Sequence, residues 1–240
     1  MISLVIPAYN EERFVPRLLD TVDAAAAAYR AEGGELEVIV ADNGSTDGTA
    51  RIAAGRGCRV VPAIPRSIAA VRNAGARAAR GEILAFVDAD ARLHPDTFRE
   101  ISRHLANARV IGGTTGVWLD RWSFGIAATW AVMIPLVWIT GFDTGVVFCR
   151  RADFEAVGGY DEALRVAEDV AFLFALWRFG RRTGRRLVRA RRAKAIASTR
   201  KFDEHGDWHY FGLMWRGLTH YLGLGNMDEL TERYWYNPKR

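Results

Sequence analysis

The sequence predicts an α/β fold in which a mostly parallel sheet carries helices on both faces. Short apolar runs typical of buried strands alternate along the chain with longer segments of helical pattern. Alternation of this kind implies right-handed crossovers between parallel strands. Polar residues capable of chemistry directly follow several of these strands. In an open α/β sheet, ligands bind at this edge, so the pattern also predicts where a functional site lies.

The first half of the chain shows the alternation most clearly. Its long helices end close to Gly33-Gly34 and Gly81, and a turn-rich segment over 42–48 follows the second strand. The predicted elements are a strand over 2–8, a helix over about 11–31, a strand over 36–41, a short helix, a strand over 59–63, a helix over about 67–80 and a strand over 83–87.

The pattern is looser after residue 96, but neither a repeat nor a low-complexity linker interrupts the chain. We therefore expect one domain over 1–240, with a nucleotide-binding half over about 1–110 and a substrate half over about 111–240. The predicted elements here are a strand near 110, a charge-free apolar run over 122–142, a strand over 145–149, a helix starting near 168, a basic strand over about 187–198 and aromatic helices beyond it.

The composition of the chain limits the kinds of protein and of partner that we expect. Half of the 240 residues are hydrophobic, which suffices for one large domain with a sizeable core. The formal charge is +5, and the basic excess lies around 178–192. This excess fits an anionic partner such as phosphates or an acidic lipid surface, although a solvated charged face has the same composition. No zinc-finger or helix-turn-helix pattern is present, so we expect no nucleic-acid partner.

Cysteine usage and the N-terminal sequence predict a cytoplasmic protein. Cys58 and Cys149 form no C-x-x-C pair. The first residues lead directly into a strand, without the basic region and cleavage site of a signal peptide.

The most informative motif is Asp88-Ala89-Asp90, which ends the apolar run over 83–87. Two carboxylates crowded at the end of a strand are costly unless a cation lies between them and an anionic group. The motif therefore predicts a divalent metal that carries a diphosphate. The alternative is that Asp88 merely caps a helix that starts near residue 94.

Three further segments fall at or near the same predicted edge. Tyr9-Asn10-Glu11-Glu12 offers a ring and acids that suit a base or ribose, where a dinucleotide site would need glycines. Asn10 could instead be a helix cap. The second strand ends in Asp42-Asn43. Arg72, on the helix before the Asp88 strand, could bind a phosphate with both guanidinium nitrogens or could be an ordinary surface residue.

Taken together, these segments resemble the family 2 glycosyltransferases of the GT-A fold, whose sheet is Rossmann-like. The resemblance is strong over about 2–95 and 145–180. The matching segments are VIPAYNEE over 5–12, VADNGSTDGT over 40–49, RNAG over 72–75, FVDAD over 86–90, GGYDE over 158–162 and ED over 168–169.

The resemblance implies a nucleotide-diphospho-sugar donor and Mn²⁺ or Mg²⁺ as cofactor. The family often has two acids where this chain has Asp42-Asn43, and an amide offers a donor as well as an acceptor, which leaves the base open. The implied donor residues are Pro7, Ala8, Tyr9 and Glu11 at the nucleoside, Asp42 and Asn43 at the base, Arg72 at the diphosphate, and the segment Asp88, Ala89 and Asp90, of which Asp88 and Asp90 would hold the metal.

Glu168-Asp169 opens the predicted helix near 168, where acids are also favoured by the helix dipole alone. The resemblance makes Asp169, with Glu168 beside it, the catalytic base that deprotonates the acceptor hydroxyl. The polar segment 198–206 is predicted to be a mobile loop that could close over the diphosphate. Its His205 is either a further metal ligand or simply an exposed loop residue.

The apolar run over 122–142 is long enough to span a bilayer. A single span would place Asp88 and Asp90 on one side of the membrane and Glu168 and Asp169 on the other, although the proposed site needs all four. We therefore expect a buried or acceptor-covering helix or, as the next choice, a helix lying in the membrane interface with peripheral contact at the cytoplasmic face.

The sequence thus predicts a metal-dependent inverting glycosyltransferase acting on a hydroxyl acceptor, which could be a glycan or lipid-linked. One alternative is a nucleotidyltransferase, although such enzymes usually carry a glycine-rich loop after the first strand. The other is a non-catalytic nucleotide-sugar-binding module.

Overall fold

The computed structural model describes residues 1–63, 67–140, 145–164 and 167–212, with the backbone alone over 133–140. The strands and helices alternate as the sequence predicts. In chain order they are β1 Ile2–Ala8, α1 Val15–Arg30, β2 Leu36–Asp42, α2 Thr49–Gly55, β3 Arg59–Pro62, α3 Ile68–Ala78, β4 Ile83–Phe86, α4 Thr97–Leu105, β5 Val110–Leu119, α5 Phe124–Thr140, β6 Val147–Arg150, α6 Arg151–Ala156, α7 Glu168–Arg182, β7 Arg186–Ala197 and α8 Arg200–His205.

Seven strands form one sheet in the order β3-β2-β1-β4-β6-β5-β7. Strands β1 to β4 pair in parallel, while β6 runs antiparallel to both β4 and β5. Ala8 lies opposite Asp42, and Val5 lies opposite Phe86. The register therefore places the segments that follow β1, β2 and β4 at one edge of the sheet.

Helices cover both faces of this sheet. An apolar cluster on one face joins α1, α2 and α4 to alternate residues of β1, such as Ile2, Leu4 and Ile6. A second cluster on the other face joins α3, α6 and α7 to Val5, Ile39 and others. The alternation of side chains along a strand explains this division, because neighbouring residues face opposite sides. The predicted fold class is confirmed.

The chain divides into two compact units. The first comprises 1–118 and 141–197 and holds nearly all of the sheet. The second comprises 119–140 and 198–240 and includes α5 and α8. The prediction of a single domain over 1–240 remains a prediction.

Two predictions for individual elements need correction. Helix α1 begins at Val15 rather than at Glu11, because the preceding residues bond to the segment after β2. The segment 198–206, predicted to be a loop, contains helix α8. The carboxylate of Asp120 accepts hydrogen bonds from the Thr199 backbone N–H (3.0 Å) and hydroxyl (2.7 Å) at the start of this helix.

The apolar run over 122–142 is largely helical. Helix α5 occupies Phe124–Thr140, and residues 141 and 142 lie outside the described residues. Within the second unit, Arg121 forms ion pairs with Asp203 (2.6 Å) and Asp207 (2.7 Å). In the part of the chain that the structure describes, no helix combines the length and apolar character needed to span a bilayer.

Candidate active site

The segments after β1 and β2 are joined by hydrogen bonds at the predicted ligand edge. The Asn10 backbone N–H donates to the Ser45 hydroxyl at 3.0 Å, and the Asn10 side-chain oxygen accepts from the Thr46 N–H at 2.8 Å. The Glu11 N–H donates to the Thr49 hydroxyl at 2.7 Å. Asn10 adopts a left-handed φ of 55°, which asparagine tolerates better than most residues. Asn10 is therefore a brace between two loops and not the cap of α1.

The predicted donor residues lie along this edge. Ala8 and Glu11 are buried, whereas Tyr9 and Asn43 are partly exposed. Asp42, at the end of β2, accepts a hydrogen bond from the Ser45 N–H. The Asn43 side-chain oxygen is buried and has no hydrogen-bond partner among the described residues. Pro7 precedes Ala8 in β1, so all six predicted positions within or after β1 and β2 are at one end of their strands.

The Arg72 guanidinium joins three of the predicted carboxylates. Its Nη2 lies 2.8 Å from Oδ1 of Asp88. Its Nη1 lies 2.6 Å from Oε1 of Glu168 and 3.0 Å from Oδ1 of Asp169. Arg72 is 4% exposed, so its guanidinium is buried and the surface alternative for Arg72 is wrong. The cluster connects α3, the end of β4 and the first turn of α7, which are far apart in sequence.

Charge and burial oppose each other in this cluster. Burial raises the pKa of Asp169, Arg72 lowers it, and the neighbouring Asp88 and Glu168 raise it again, with a net value of about 7. Burial alone would lower the pKa of Arg72, but Asp169 and Asp88 raise it well above its ordinary value. A pKa raised toward neutral pH is the property that favours efficient general-base catalysis.

Tyr160 supports the cluster from the second apolar face. Its ring lies under Arg72 at 5.3 Å, stacks on Phe172 at 4.4 Å and contacts Phe86 edge-on at 5.1 Å. Asn73 holds the Tyr160 backbone, accepting from its N–H at 2.9 Å and donating to its C=O at 2.8 Å. Neighbouring residues of α3 therefore bind the carboxylates (Arg72) and the tyrosine beneath them (Asn73). Neither Tyr160 nor Asn73 was predicted to have a role from the sequence, although the GGYDE and RNAG segments contain them.

The backbone immediately before α7 is strained. Ala167, immediately before Glu168, adopts a left-handed φ of 60°. This conformation costs a residue with a Cβ roughly 1–2 kcal/mol. Such strain often occurs at functional sites, where the surrounding structure enforces it. Nothing in the sequence marks this position.

Asp88 and Asp90 provide a donor set that fits Mn²⁺ or Mg²⁺. The Asp88 side chain is 57% exposed and Asp90 is partly exposed, so carboxylate oxygens are accessible at the sheet edge. Among the described residues, no group of three or more potential ligands is preassembled. His205 lies at the end of α8 in the second unit, and its role as a ligand stays a prediction.

The model of glycosyl transferase family 2 matches residues 3–132, more than half of the chain. The chain belongs to glycosyltransferase family 2. The match contains β1 to β5 and therefore includes Arg72 and Asp88-Ala89-Asp90, whereas Asp169 lies beyond it. The family assignment predicted from the sequence is confirmed.

One curated relative is the undecaprenyl-phosphate 4-deoxy-4-formamido-L-arabinose transferase of Pseudomonas paraeruginosa, 35% identical over 125 residues. The alignment covers 47% of this chain and 34% of the relative. The chain thus spans about a third of the length of the curated relatives that it matches.

Two solved structures share the fold. A mannosyltransferase from Pyrobaculum calidifontis, in complex with GDP-Man and Mn²⁺, has a TM-score of 0.61 at 22% identity, covering 78% of this chain and 54% of its own. S. aureus TarS in complex with UDP-GlcNAc also has a TM-score of 0.61, at 19% identity, covering 82% and 58%. At these identities the likeness shows the fold alone.

Proposed function

We propose that the chain is a metal-dependent, inverting glycosyltransferase that moves a sugar from a nucleotide-diphospho-sugar to a hydroxyl acceptor. The observation that carries the proposal is the Arg72 cluster, in which a buried Asp169 and the metal-motif residue Asp88 contact one guanidinium. A base for the acceptor and a carboxylate for the donor's metal are thereby held close together. Family membership favours this function over nucleotidyl transfer.

The donor is proposed to lie along the ends of β1, β2 and β4. Tyr9 and Glu11 would bind the nucleoside, and the unpaired oxygen of Asn43 would accept a hydrogen bond from the base. Uracil and guanine each carry a ring N–H, so this acceptor is compatible with either. Asp88 and Asp90 would hold Mn²⁺ or Mg²⁺, which when bound would offset the charge of the diphosphate leaving group.

Asp169 is proposed to act as the base. Its carboxylate would accept the proton of the acceptor hydroxyl while that oxygen bonds to the anomeric carbon and the bond to the diphosphate breaks. One displacement from the face opposite the leaving group inverts the anomeric configuration. Arg72 would hold Asp169 in place, and the expectation that it also faces the diphosphate stays a prediction.

The acceptor is proposed to be a glycan or a lipid-linked hydroxyl compound used at the cytoplasmic face of a membrane. Support for the lipid-linked class comes from a relative that is named for undecaprenyl-phosphate. The second half of the chain, over about 111–240, is proposed to contribute most to acceptor binding.

The proposal is tested by thermal shift with UDP- and GDP-sugars, each with and without Mn²⁺. We expect at least one donor to raise the melting temperature only when metal is present, since the diphosphate needs a bridging cation. That donor should then release nucleoside diphosphate, and NMR of the product should show the inverted anomer. Metal-independent binding would refute the metal site, and a retained anomeric configuration would refute the single displacement.

A further inference from the structure

The outer surface of α7 is both aromatic and cationic. Val170, Phe174, Trp177, Arg178 and Arg181 recur at helical spacing on the side opposite the buried core residues of this helix. Val170 is 42% exposed and Phe174 is 45% exposed, and because they are four residues apart on one helix they are neighbours on its surface. We call these five residues the α7 outer face.

Cations lie over the rings of this surface. Arg178 lies 5.8 Å from the ring centre of Phe174, and Arg181 lies 5.1 Å from that of Trp177. Phe174 and Trp177 also stack on each other at 5.3 Å. The side chains thus combine an apolar base with a charged end, the arrangement that arginine and aromatic residues adopt at a membrane interface.

The positive charge of the chain is concentrated in this region. Residues 170–197, which form α7 beyond its first turn and β7, contain nine basic residues and no acidic one. The rest of the chain carries 24 basic and 28 acidic residues, so the net charge of +5 arises here. Exposed cations continue on β7, where Lys194 lies 4.9 Å from the ring centre of the exposed Trp118.

Few acidic groups neutralise this charge. Arg185 is paired with Asp153 at 2.7 Å. For Arg178, Arg181, Arg191 and Arg192, the described part of the chain provides no ion pair. Cations that remain unneutralised beside exposed rings complement a surface that is anionic outside and apolar beneath.

We propose that the α7 outer face and the exposed cations of β7 dock this protein onto an anionic lipid surface. The anionic headgroups contact the arginines, and Phe174 and Trp177 enter the headgroup region. Because α7 begins at Glu168-Asp169, docking sets the catalytic end of the helix at a fixed distance from the lipid. The proposal concerns a surface outside the donor site. Its statement about the catalytic end of α7 rests on the proposed function, whereas binding to the lipid surface does not.

The test is co-sedimentation of the full chain with vesicles of phosphatidylcholine containing 30% phosphatidylglycerol, compared with pure phosphatidylcholine. The variant R178Q/R181Q should bind the anionic vesicles on the order of 30-fold more weakly, at about fivefold per charge. The matched control R17Q/R30Q removes two exposed arginines from α1 on the opposite face of the sheet. It should bind like the wild type, and all three proteins should release nucleoside diphosphate from the soluble donor equally.

A second variant, F174S, examines the apolar contribution. It should weaken vesicle binding while leaving the salt dependence of the remaining binding unchanged, because no charge is lost. Equal losses in R178Q/R181Q and R17Q/R30Q would mean that bulk charge, and not this face, binds lipid. Unchanged vesicle binding by F174S and R178Q/R181Q would overturn the proposal. So would analytical ultracentrifugation showing a wild-type dimer that F174S makes monomeric, since the face would then be a contact between copies.

Discussion

Replacing Arg72 with methionine should destabilise the protein strongly. Methionine has similar length and high helix propensity, so the substitution removes the charge and hydrogen bonds while largely preserving α3. Removing one partner of a buried ion pair typically costs about 3–5 kcal/mol, because the remaining charge is uncompensated. Asp88 contributes little to this figure, since its side chain is 57% exposed. Glu168 and Asp169, at 11% and 20% exposed, account for most of it.

For a chain of this size, such a loss lowers the melting temperature by roughly 6–20 °C. The measurement is chemical or thermal unfolding followed by circular dichroism. R77M is the matched control, because Arg77 lies on the same helix with a side chain that is 67% exposed and a single 3.7 Å contact to Glu162. R77M should lower the free energy of unfolding by no more than about 1 kcal/mol.

The loss of unfolding free energy in R72M relative to the wild type, here called the deficit, should also depend on pH in a definite direction. Burial raises the pKa of Asp169 to about 7 in the folded protein, above its ordinary value of 3.8, so folding favours the protonated form. Stability from this group is fully present below about pH 4 and is lost as pH rises through the folded pKa. Arg72 lowers the pKa of Asp169 in the folded protein. In R72M that pKa is therefore higher, and the loss of stability continues to higher pH than in the wild type. The deficit should therefore grow above pH 7 by up to about 1.4 kcal/mol per pH unit.

The double variant R72M/D169N should recover part of the deficit at pH 8.5, because the unpaired charge is then absent. Two results would refute this account of the cluster. One is a loss in R72M no larger than in R77M. The other is a deficit that is the same at pH 6 and pH 8.5.

Four further predictions concern single residues. D169N should bind donor and Mn²⁺ like the wild type in calorimetry but lose turnover by a factor of about 100 or more, and wild-type turnover would place the base elsewhere, with Glu168 next. D90A should weaken nucleoside-diphosphate affinity at least tenfold in the presence of metal, and equal affinities by calorimetry would refute the metal motif. H205A should raise the Mn²⁺ concentration needed for half-maximal rate, whereas an unchanged metal titration would make His205 an ordinary residue of α8. A167G should stabilise the fold by about 0.5–1 kcal/mol through relief of the left-handed strain, while the control A171G in the interior of α7 should destabilise it by about 1 kcal/mol.

The sequence predicted the sheet, and the edge of the sheet at which the candidate residues meet, because both depend on local pattern. Apolar runs such as Ile2–Ala8, in a chain where strands alternate with helices, form the buried strands of a parallel sheet. Polar residues that follow parallel strands then meet at one edge of that sheet. Helix α3 was predicted closely because Ser67 has a visible capping role, accepting from the Ala70 N–H at 3.1 Å.

Long-range pairings could not be predicted in the same way. Nothing local indicates that Arg72 contacts Glu168, 96 residues later, or that Asn73 holds Tyr160. The same applies to Asn10, whose pattern fits a helix cap as well as a brace between loops. Helix α8 was missed because its polar sequence resembles a loop, and its start is capped by the distant Asp120.

The brace between the segments after β1 and β2 has a consequence for engineering. Asn10, Ser45 and Thr46 fix the shape of both loops through three side-chain contacts. A loop transplanted alone from a related enzyme would lose its partners and present its side chains in a different geometry. Changing the nucleotide preference of this scaffold should therefore require exchanging residues 9–12 and 43–49 as one cassette, with selection applied to the pair and not to either loop.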